Sequence, residues 1–231
     1  MKYLIHVLAL MSYLSRIGRP ELIDLLLSLS VLIIAFSIVG ERRLPSVEVV
    51  LISAVGVGTG FLLHELAHKF VAQRYGYWAE YRASWSGLFI MIVMSFMGFI
   101  FAAPGAVMIS KDPHAASQAA HVDDVAYGEE FEKKKTKEQL WIAIAGPMTN
   151  IILVIFFLVL ALASRKMINL FLLDVAYFAF YINLILAAFN LIPIDPFDGG
   201  KIFRGNRLIW AVVAVPTILL ALPVIFGIRV L

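Results

Sequence analysis

The sequence predicts an all-α polytopic membrane protein, a bundle of five to six transmembrane helices with a membrane-associated extended or re-entrant element. Three observations lead to this fold class. The chain of 231 residues is 61% hydrophobic and only 15% charged, whereas a soluble globular domain has about 45–50% apolar and about 25% charged residues. Its mean hydropathy is +0.90. Its apolar residues also cluster in stretches of about 20, the length that a helix needs to cross a bilayer.

Five of these apolar stretches are long enough to cross the membrane as helices. The first ends at a charged turn, and prolines lie near the end of the fourth and within the last. We expect Pro216 and Pro223 to interrupt the last one, because proline removes a backbone hydrogen bond from a helix. The five stretches are Leu22–Val39, Val47–Ala72, Leu140–Ala163, Leu170–Pro193 and Leu208–Ile228.

A further apolar stretch, Gly87–Ile109, is ambiguous because it contains Pro104-Gly105 and precedes a long polar segment that cannot cross lipid. The lysines and arginines decide between two topologies. If the stretch crosses once, the 19 basic residues divide nine against ten; if it returns to the side it left, 14 of them share one side. Basic residues concentrate on the cytoplasmic side of membrane proteins. We therefore expect a re-entrant element, or a helix with an extended return, in an integral multi-pass protein.

The most informative motif lies near the end of the second predicted helix, at His64-Glu65-Leu66-Ala67-His68. Two histidines four residues apart share one helix face, where both can bind a single zinc ion. The glutamate between them can then act as general base on a zinc-bound water. Ionisable side chains at membrane depth cost about 2.5–3.5 kcal/mol each, so they seldom persist there without a function. The chain has no cysteine, which leaves His, Asp and Glu as the available zinc ligands.

A catalytic zinc usually has three protein ligands and one position for water. Asp198 is the candidate third ligand, because prolines before it end the fourth of these helices and two glycines after it free the backbone. The returning topology also brings Asp198 to the same side of the membrane as His68. Asp195 is the competing candidate, but it lies between two prolines and no glycine follows it.

Three motifs together resemble the site-2 protease family, whose members are intramembrane zinc metalloproteases. These motifs are HELAH at 64–68, Gly146-Pro147-Met148-Thr149-Asn150, and Asn190-x-x-Pro193-x-x-x-x-Asp198-Gly199. The resemblance implies that His64, His68 and Asp198 bind one zinc ion and that Glu65 activates the water. It also implies that Asn190 holds the substrate or its oxyanion, and that the stretch 103–107 is an extended element beside the active site.

The resemblance further predicts a minimal family member without PDZ or CBS domains. We expect a single membrane-embedded metalloprotease domain over 1–231, with its catalytic core at about 47–200. The flanking helices, about 22–39 and 208–228, carry no catalytic motif and are assigned to a gate for lateral substrate access. The expected partners are a transmembrane protein substrate, such as a membrane-anchored regulator, and the lipid bilayer, with no nucleic acid. The active site is expected to lie towards the cytoplasmic side.

Other interpretations remain open on the sequence alone. The chain could be a non-proteolytic membrane zinc-binding protein or a metal transporter, although a transporter would be expected to carry polar residues along several helices. Asn150 is as well explained by an interhelical hydrogen bond as by a role at the site. Three other histidines, His6, His114 and His121, have no spacing that suggests a metal site and are interpreted as non-ligands.

Overall fold

The computed structural model describes residues 17–39, 44–100, 104–110 and 137–227. Within these ranges the chain forms helices and one small antiparallel sheet. Long apolar runs without charge favour helix, because a helix satisfies every backbone hydrogen bond within the segment. In chain order the elements are α1 (Arg19–Val39), α2 (Val47–Arg74), β1 (Trp78–Ala83), α3 (Trp85–Phe96), β2 (Gly105–Ser110), α4 (Lys137–Met167), α5 (Leu170–Asn190), α6 (Asp198–Gly205) and α7 (Arg207–Ile225).

Five of these helices are long and apolar enough to cross a membrane, namely α1, α2, α4, α5 and α7. They correspond one for one to the five stretches expected from the sequence, and the predicted fold class is confirmed. The prediction that prolines interrupt the last helix was wrong, because α7 continues through both Pro216 and Pro223. Helices in a bundle tolerate proline where neighbouring groups satisfy the backbone group that proline leaves free.

The ambiguous stretch Gly87–Ile109 does not form one crossing helix. It divides into the helix α3 and the strand β2. Helix α3 has 12 residues and a length of about 18 Å, which is too short to cross a hydrocarbon layer of about 30 Å. The strand pairs antiparallel with β1 so that Ser110 lies opposite Trp78. Because β1 follows directly after α2, the chain returns to the end of the bundle where α2 ends. This geometry agrees with the returning topology.

Helix α2 contains one turn of π-helix, Gly58–Leu62, shortly before the histidines. Such turns often occur at functional sites, because they shift the helix face by one residue. Two glycines near this turn allow α2 to pack closely against α5. A Cβ atom at Gly56 would lie 2.5 Å from the ring of Phe178, and one at Gly60 would lie 2.9 Å from Leu186. Small residues commonly allow such close approach between membrane helices.

The other helices frame this pair. Helix α4 packs along both α2 and α5, and α5 ends at Asn190, before the two prolines, as expected. A short turn then leads to α6, which contacts α4 and α7. Helix α1 packs against α2, α3 and β1. The bundle thus brings the ends of α2 and α5, the start of α6 and the sheet to one place.

Candidate metal centre

The structure brings the three predicted zinc ligands together. His64 and His68 lie one turn apart on α2, and Asp198 is the first residue of α6. The Nε2 atom of His68 lies 3.0 Å from Nε2 of His64 and 2.9 Å from Oδ2 of Asp198. The Nε2 atom of His64 lies 3.4 Å from the same carboxylate oxygen. Ligands about 2.0–2.1 Å from a tetrahedral metal lie about 3.3 Å from one another, so this donor set fits zinc.

Hydrogen bonds on the far side of each ring orient the histidines for metal binding. His68 donates from Nδ1 to the carbonyl oxygen of Ile142 on α4, at 2.7 Å. His64 donates from Nδ1 to Oδ1 of Asn150, also on α4, at 2.5 Å. A carbonyl oxygen can only accept, so both rings carry their proton on Nδ1 and direct the Nε2 lone pair towards the site. This arrangement is typical of metal-binding histidines, whose second nitrogen is held by an oxygen.

Asn150 is held in turn by two neighbours, which fixes the orientation of its amide. Its Nδ2 atom donates to the carbonyl oxygen of Gly60, at 2.9 Å, and to Oδ1 of Asn183, at 3.0 Å. Because the nitrogen is committed to these acceptors, the oxygen must face His64. Asn150 therefore both joins helices and orients a ligand, so the two interpretations left open by the sequence are compatible. Asn183 was not predicted, although a buried amide in an apolar helix was the available signal.

Gly146 on α4 allows this helix to pack directly against the histidine pair. A Cβ atom at this position would lie 2.4 Å from Nε2 of His68 and 2.6 Å from Nε2 of His64. Real Cβ atoms do not approach other atoms this closely, so any side chain here would displace the ligands. The glycine was recognised as part of a motif, but this role depends on the packing of two distant segments and could not be read from the sequence.

We predict that Gly146→Ala lowers the zinc affinity of the purified protein by roughly 10–100-fold, the range seen when ligand orientation is disturbed. Competition with a zinc chelator measures this affinity. Gly58→Ala is a matched control within a membrane helix, because a Cβ atom there meets only Leu29, at 3.8 Å. Equal zinc affinity in the two variants would contradict the assigned role of Gly146.

Glu65 lies beside the ligands and faces the same cavity. Its carboxylate accepts a hydrogen bond from the backbone N–H of Val107 in β2. The cavity has a volume of about 470 Å³ and is bounded by α1, α2, β2, α4, α5 and α6. Asn190, at the end of α5, lies on its wall, and its amide donates to the carbonyl oxygen of Leu186 at 3.0 Å. Its predicted role towards substrate therefore remains a prediction.

Asp195, the competing candidate ligand, lies outside the metal centre. Its two carboxylate oxygens pair with Arg204 of α6, at 2.7 and 2.9 Å. This bidentate ion pair holds the pKa of Asp195 below its ordinary value. Asp195 stabilises the turn between α5 and α6, which places Asp198 beside the histidines. The histidines interpreted as non-ligands, His6, His114 and His121, lie outside the described residues.

The predicted gate is only partly consistent with the structure. Helix α1 lines the cavity through Leu32 and Phe36. Within the described residues 207–227, α7 contributes nothing to the cavity wall, because it packs on the outer side of α5 and α6. The assignment of the first and last helices to a gate therefore stays a prediction.

Comparisons with known proteins agree with this geometry. The model of peptidase family M50 matches residues 52–167 and 159–217. The chain is 40% identical over 204 residues to a provisionally named zinc metalloprotease of Methanocaldococcus jannaschii, MJ0611, covering 88% of this chain and 93% of that protein. It is 29% identical over 143 residues to the zinc metalloprotease MJ0392 of the same organism, covering 62% of this chain and 30% of that protein. No solved structure matches the chain. The resemblance found in the motifs is confirmed: the chain belongs to peptidase family M50, the site-2 proteases, and is a metalloprotease.

Proposed function

We propose that this protein is an intramembrane zinc endopeptidase that hydrolyses a peptide bond within or near a transmembrane segment of its substrate. The observation that carries the proposal is the convergence of His64, His68 and Asp198 beside Glu65, in a cavity enclosed by membrane-length helices. Zinc is the expected metal because the donors are two imidazoles and one carboxylate, the ligand types that catalytic zinc sites use. The relatives named as zinc metalloproteases support the same metal.

The residues around the site have complementary roles in hydrolysis. His64, His68 and Asp198 would hold the zinc ion, which when bound activates water and polarises the scissile carbonyl. Glu65 accepts the proton of the attacking water and passes it to the leaving amine. The backbone N–H of Val107 orients the Glu65 carboxylate. We assign Asn190 to the peptide carbonyl or its oxyanion, since its amide group lies on the same cavity wall.

The edge of β2 that faces the cavity is the proposed binding site for an extended substrate. Tyr81, opposite Val107 in the register, donates its backbone N–H away from β2, to Glu21 on α1. Opposed residues in an antiparallel pair share either both hydrogen bonds or neither. The backbone N–H and C=O groups of Val107 therefore point away from β1. The same holds for Gly105 and Ile109, two residues before and after it in the strand, and all three residues line the cavity. Because the N–H of Val107 is bonded to Glu65, a substrate strand can add to this edge through Gly105, Ile109 and the carbonyl oxygen of Val107. Extended peptides add to open sheet edges in this way in other proteins.

We further propose that the active site lies towards the cytoplasm. The basic residues Lys69, Arg74, Lys201, Arg204 and Arg207 belong to the end of the bundle that holds the metal centre. Basic residues accumulate on the cytoplasmic side, and water needed for hydrolysis can reach the cavity from that side. A membrane-anchored regulator is the proposed substrate class, because its cleavage would release a soluble domain.

The test is cleavage of a model transmembrane peptide by the purified protein in detergent or lipid vesicles. We expect cleavage that stops when a chelator removes zinc and resumes when zinc is restored. The competing function, metal transport, predicts zinc flux into vesicles without peptide cleavage. Zinc content alone would not separate these functions, whereas a vesicle assay that follows both peptide fragments and zinc uptake would. Zinc-loaded protein that transports zinc but cleaves no membrane peptide would overturn the proposal.

We predict that cleavage requires a substrate segment that unwinds easily. The amides of an intact helix are bonded to its own carbonyl groups, so the scissile bond becomes accessible only in extended form. Replacing Gly and Pro near the cleavage site of a good substrate with Leu should lower the cleavage rate roughly tenfold or more, since Gly costs about 1 and Pro about 3 kcal/mol in a helix. Fragment analysis by mass spectrometry gives the rate. An unchanged rate would remove unwinding as a requirement.

A further inference from the structure

Three polar side chains on one face of α1 meet the sheet, although α1 is otherwise a membrane-length apolar helix. Glu21, Asp24 and Ser28 are spaced three and four residues apart, which places them on one helix face. Glu21 and Ser28 are fully buried. Polar groups inside such a helix are costly unless they are paired, so this stripe requires an explanation beyond lipid contact.

Each of the three side chains is hydrogen-bonded to the sheet or to the residue before it. Glu21 accepts from the backbone N–H of Tyr81 at 3.1 Å, and Asp24 accepts from that of Ala83 at 3.2 Å. Ser28 accepts from the hydroxyl of Tyr81 at 2.9 Å and donates to the carbonyl oxygen of Pro104 at 3.2 Å. Helix α1 therefore contacts β1 along its outer edge and also reaches Pro104, the residue before β2.

Glu21 also connects the sheet to the helix that carries the histidines. Its second carboxylate oxygen pairs with Lys69, which follows His68, and both side chains are completely buried. A buried ion pair is costly to break, because one charge is then left without compensation. Through this single carboxylate, α1, α2 and β1 are held in fixed positions relative to the metal centre.

The hydrogen bonds to α1 also determine which edge of the sheet can accept another strand. An open sheet edge presents unpaired N–H and C=O groups that pair readily with an added strand. On the outer edge of β1, the amides of Tyr81 and Ala83 already donate to carboxylates. The inner edge, on β2, remains facing the cavity. The sheet can therefore be extended on the side of Glu65 and the histidines.

We infer that Glu21, Asp24 and Ser28 are positioning residues, which hold β2 in the place where a substrate strand pairs with it. This inference rests on the proposed function and assigns a supporting role to the part of α1 that contacts the sheet. The three residues touch neither zinc nor the scissile bond. Loss of Asp24, which holds the sheet at the Ala83–Gly105 pair and not at Val107, should therefore weaken substrate binding and leave the chemical step and the metal unaffected.

Asp24 offers the cleanest test, because it is only partly buried and makes no ion pair with Lys69. We expect Asp24→Ala to raise KM for a membrane peptide about tenfold, the effect of losing one hydrogen bond to a charged group. The kcat value and the zinc content should stay within about twofold of those of the unmodified protein. Asp24→Asn should restore KM, because its amide oxygen can accept the same N–H. Asp174→Ala is the matched control, an exposed acidic residue near the other end of α5.

Hydrogen exchange separates this inference from the proposed function. Addition of the peptide to the zinc-loaded protein should protect the amides of β2, and Asp24→Ala should reduce that protection. If the protein cleaves the peptide but Asp24→Ala leaves KM and protection unchanged, or lowers kcat and zinc content instead, the positioning role is wrong. An equal rise of KM in Asp174→Ala would refute it as well. If the protein protects β2 in an Asp24-dependent way but cleaves nothing, the proposed function fails and the positioning role stands.

Discussion

Replacing Glu65 with glutamine is expected to abolish peptide cleavage while zinc occupancy remains near one ion per chain. Glutamine has nearly the same shape but cannot accept a proton from water, and loss of a general base typically lowers rates by about 10²–10⁴-fold. The zinc ligands are contributed by other residues, so the metal should stay bound. Cleavage of the model peptide and metal analysis of the same preparation check both parts of this expectation.

Glu48→Gln is the matched control, since Glu48 is an exposed glutamate in the first turn of the same helix α2, far from the ligands along its axis. It should cleave at the rate of the unmodified protein. Substantial turnover by Glu65→Gln, or loss of zinc from it, would show that Glu65 is not the base or that it is itself a ligand.

Asp198→Ala is expected to lose zinc, with an affinity lower by more than about 100-fold, because a direct ligand should matter more than the outer contacts, whose loss costs 10–100-fold. Two histidines then remain, fewer than the three protein ligands that catalytic zinc sites use. Cleavage should fall to the level of the zinc-free protein. Metal analysis after dialysis against a weak chelator gives the occupancy.

Asp195→Ala tests whether the assignment of the third ligand is specific. It removes a carboxylate three residues away that pairs with Arg204 on the protein surface. An exposed ion pair contributes about 0–1 kcal/mol, so this variant should keep zinc and lose little activity. Full zinc occupancy in Asp198→Ala together with loss of zinc in Asp195→Ala would reverse the roles of the two aspartates.

The crossing segments and the zinc ligands were predictable because local rules govern both. A run of about 20 apolar residues must become a helix in lipid, and residues four apart, such as His64 and His68, must share one face. Asp198 could be preferred over Asp195 because the glycines after it allow a tight approach. A Cβ atom at Gly199 would lie 2.3 Å from the backbone of Leu191, which is the close contact that the glycine permits.

The contacts around the ligands could not be predicted, because they join segments that are far apart in the chain. Asn150 orients His64 across 86 positions, and Glu21 reaches Lys69 across 48. Neither the hydrophobic periodicity nor the motifs predict which helices pack against each other. The same limit applies to α7, which was assigned to the gate from its order along the chain and whose described residues do not line the cavity. The polar residues of α1 could be identified in the sequence, but their positioning role depends on the sheet that packs against this helix.

The close approach at Gly146 has a consequence for how the protein matures in the membrane. Helices can insert one at a time, but side-by-side association follows as a separate step, driven by packing between small residues. The histidines come from α2, the aspartate from α6, and the oxygens that orient both rings from α4. An inserted but unassociated chain would therefore bind zinc weakly. Because metal binding is coupled to folding in this way, zinc acquisition would mark completed assembly and delay proteolytic activity until the bundle has closed.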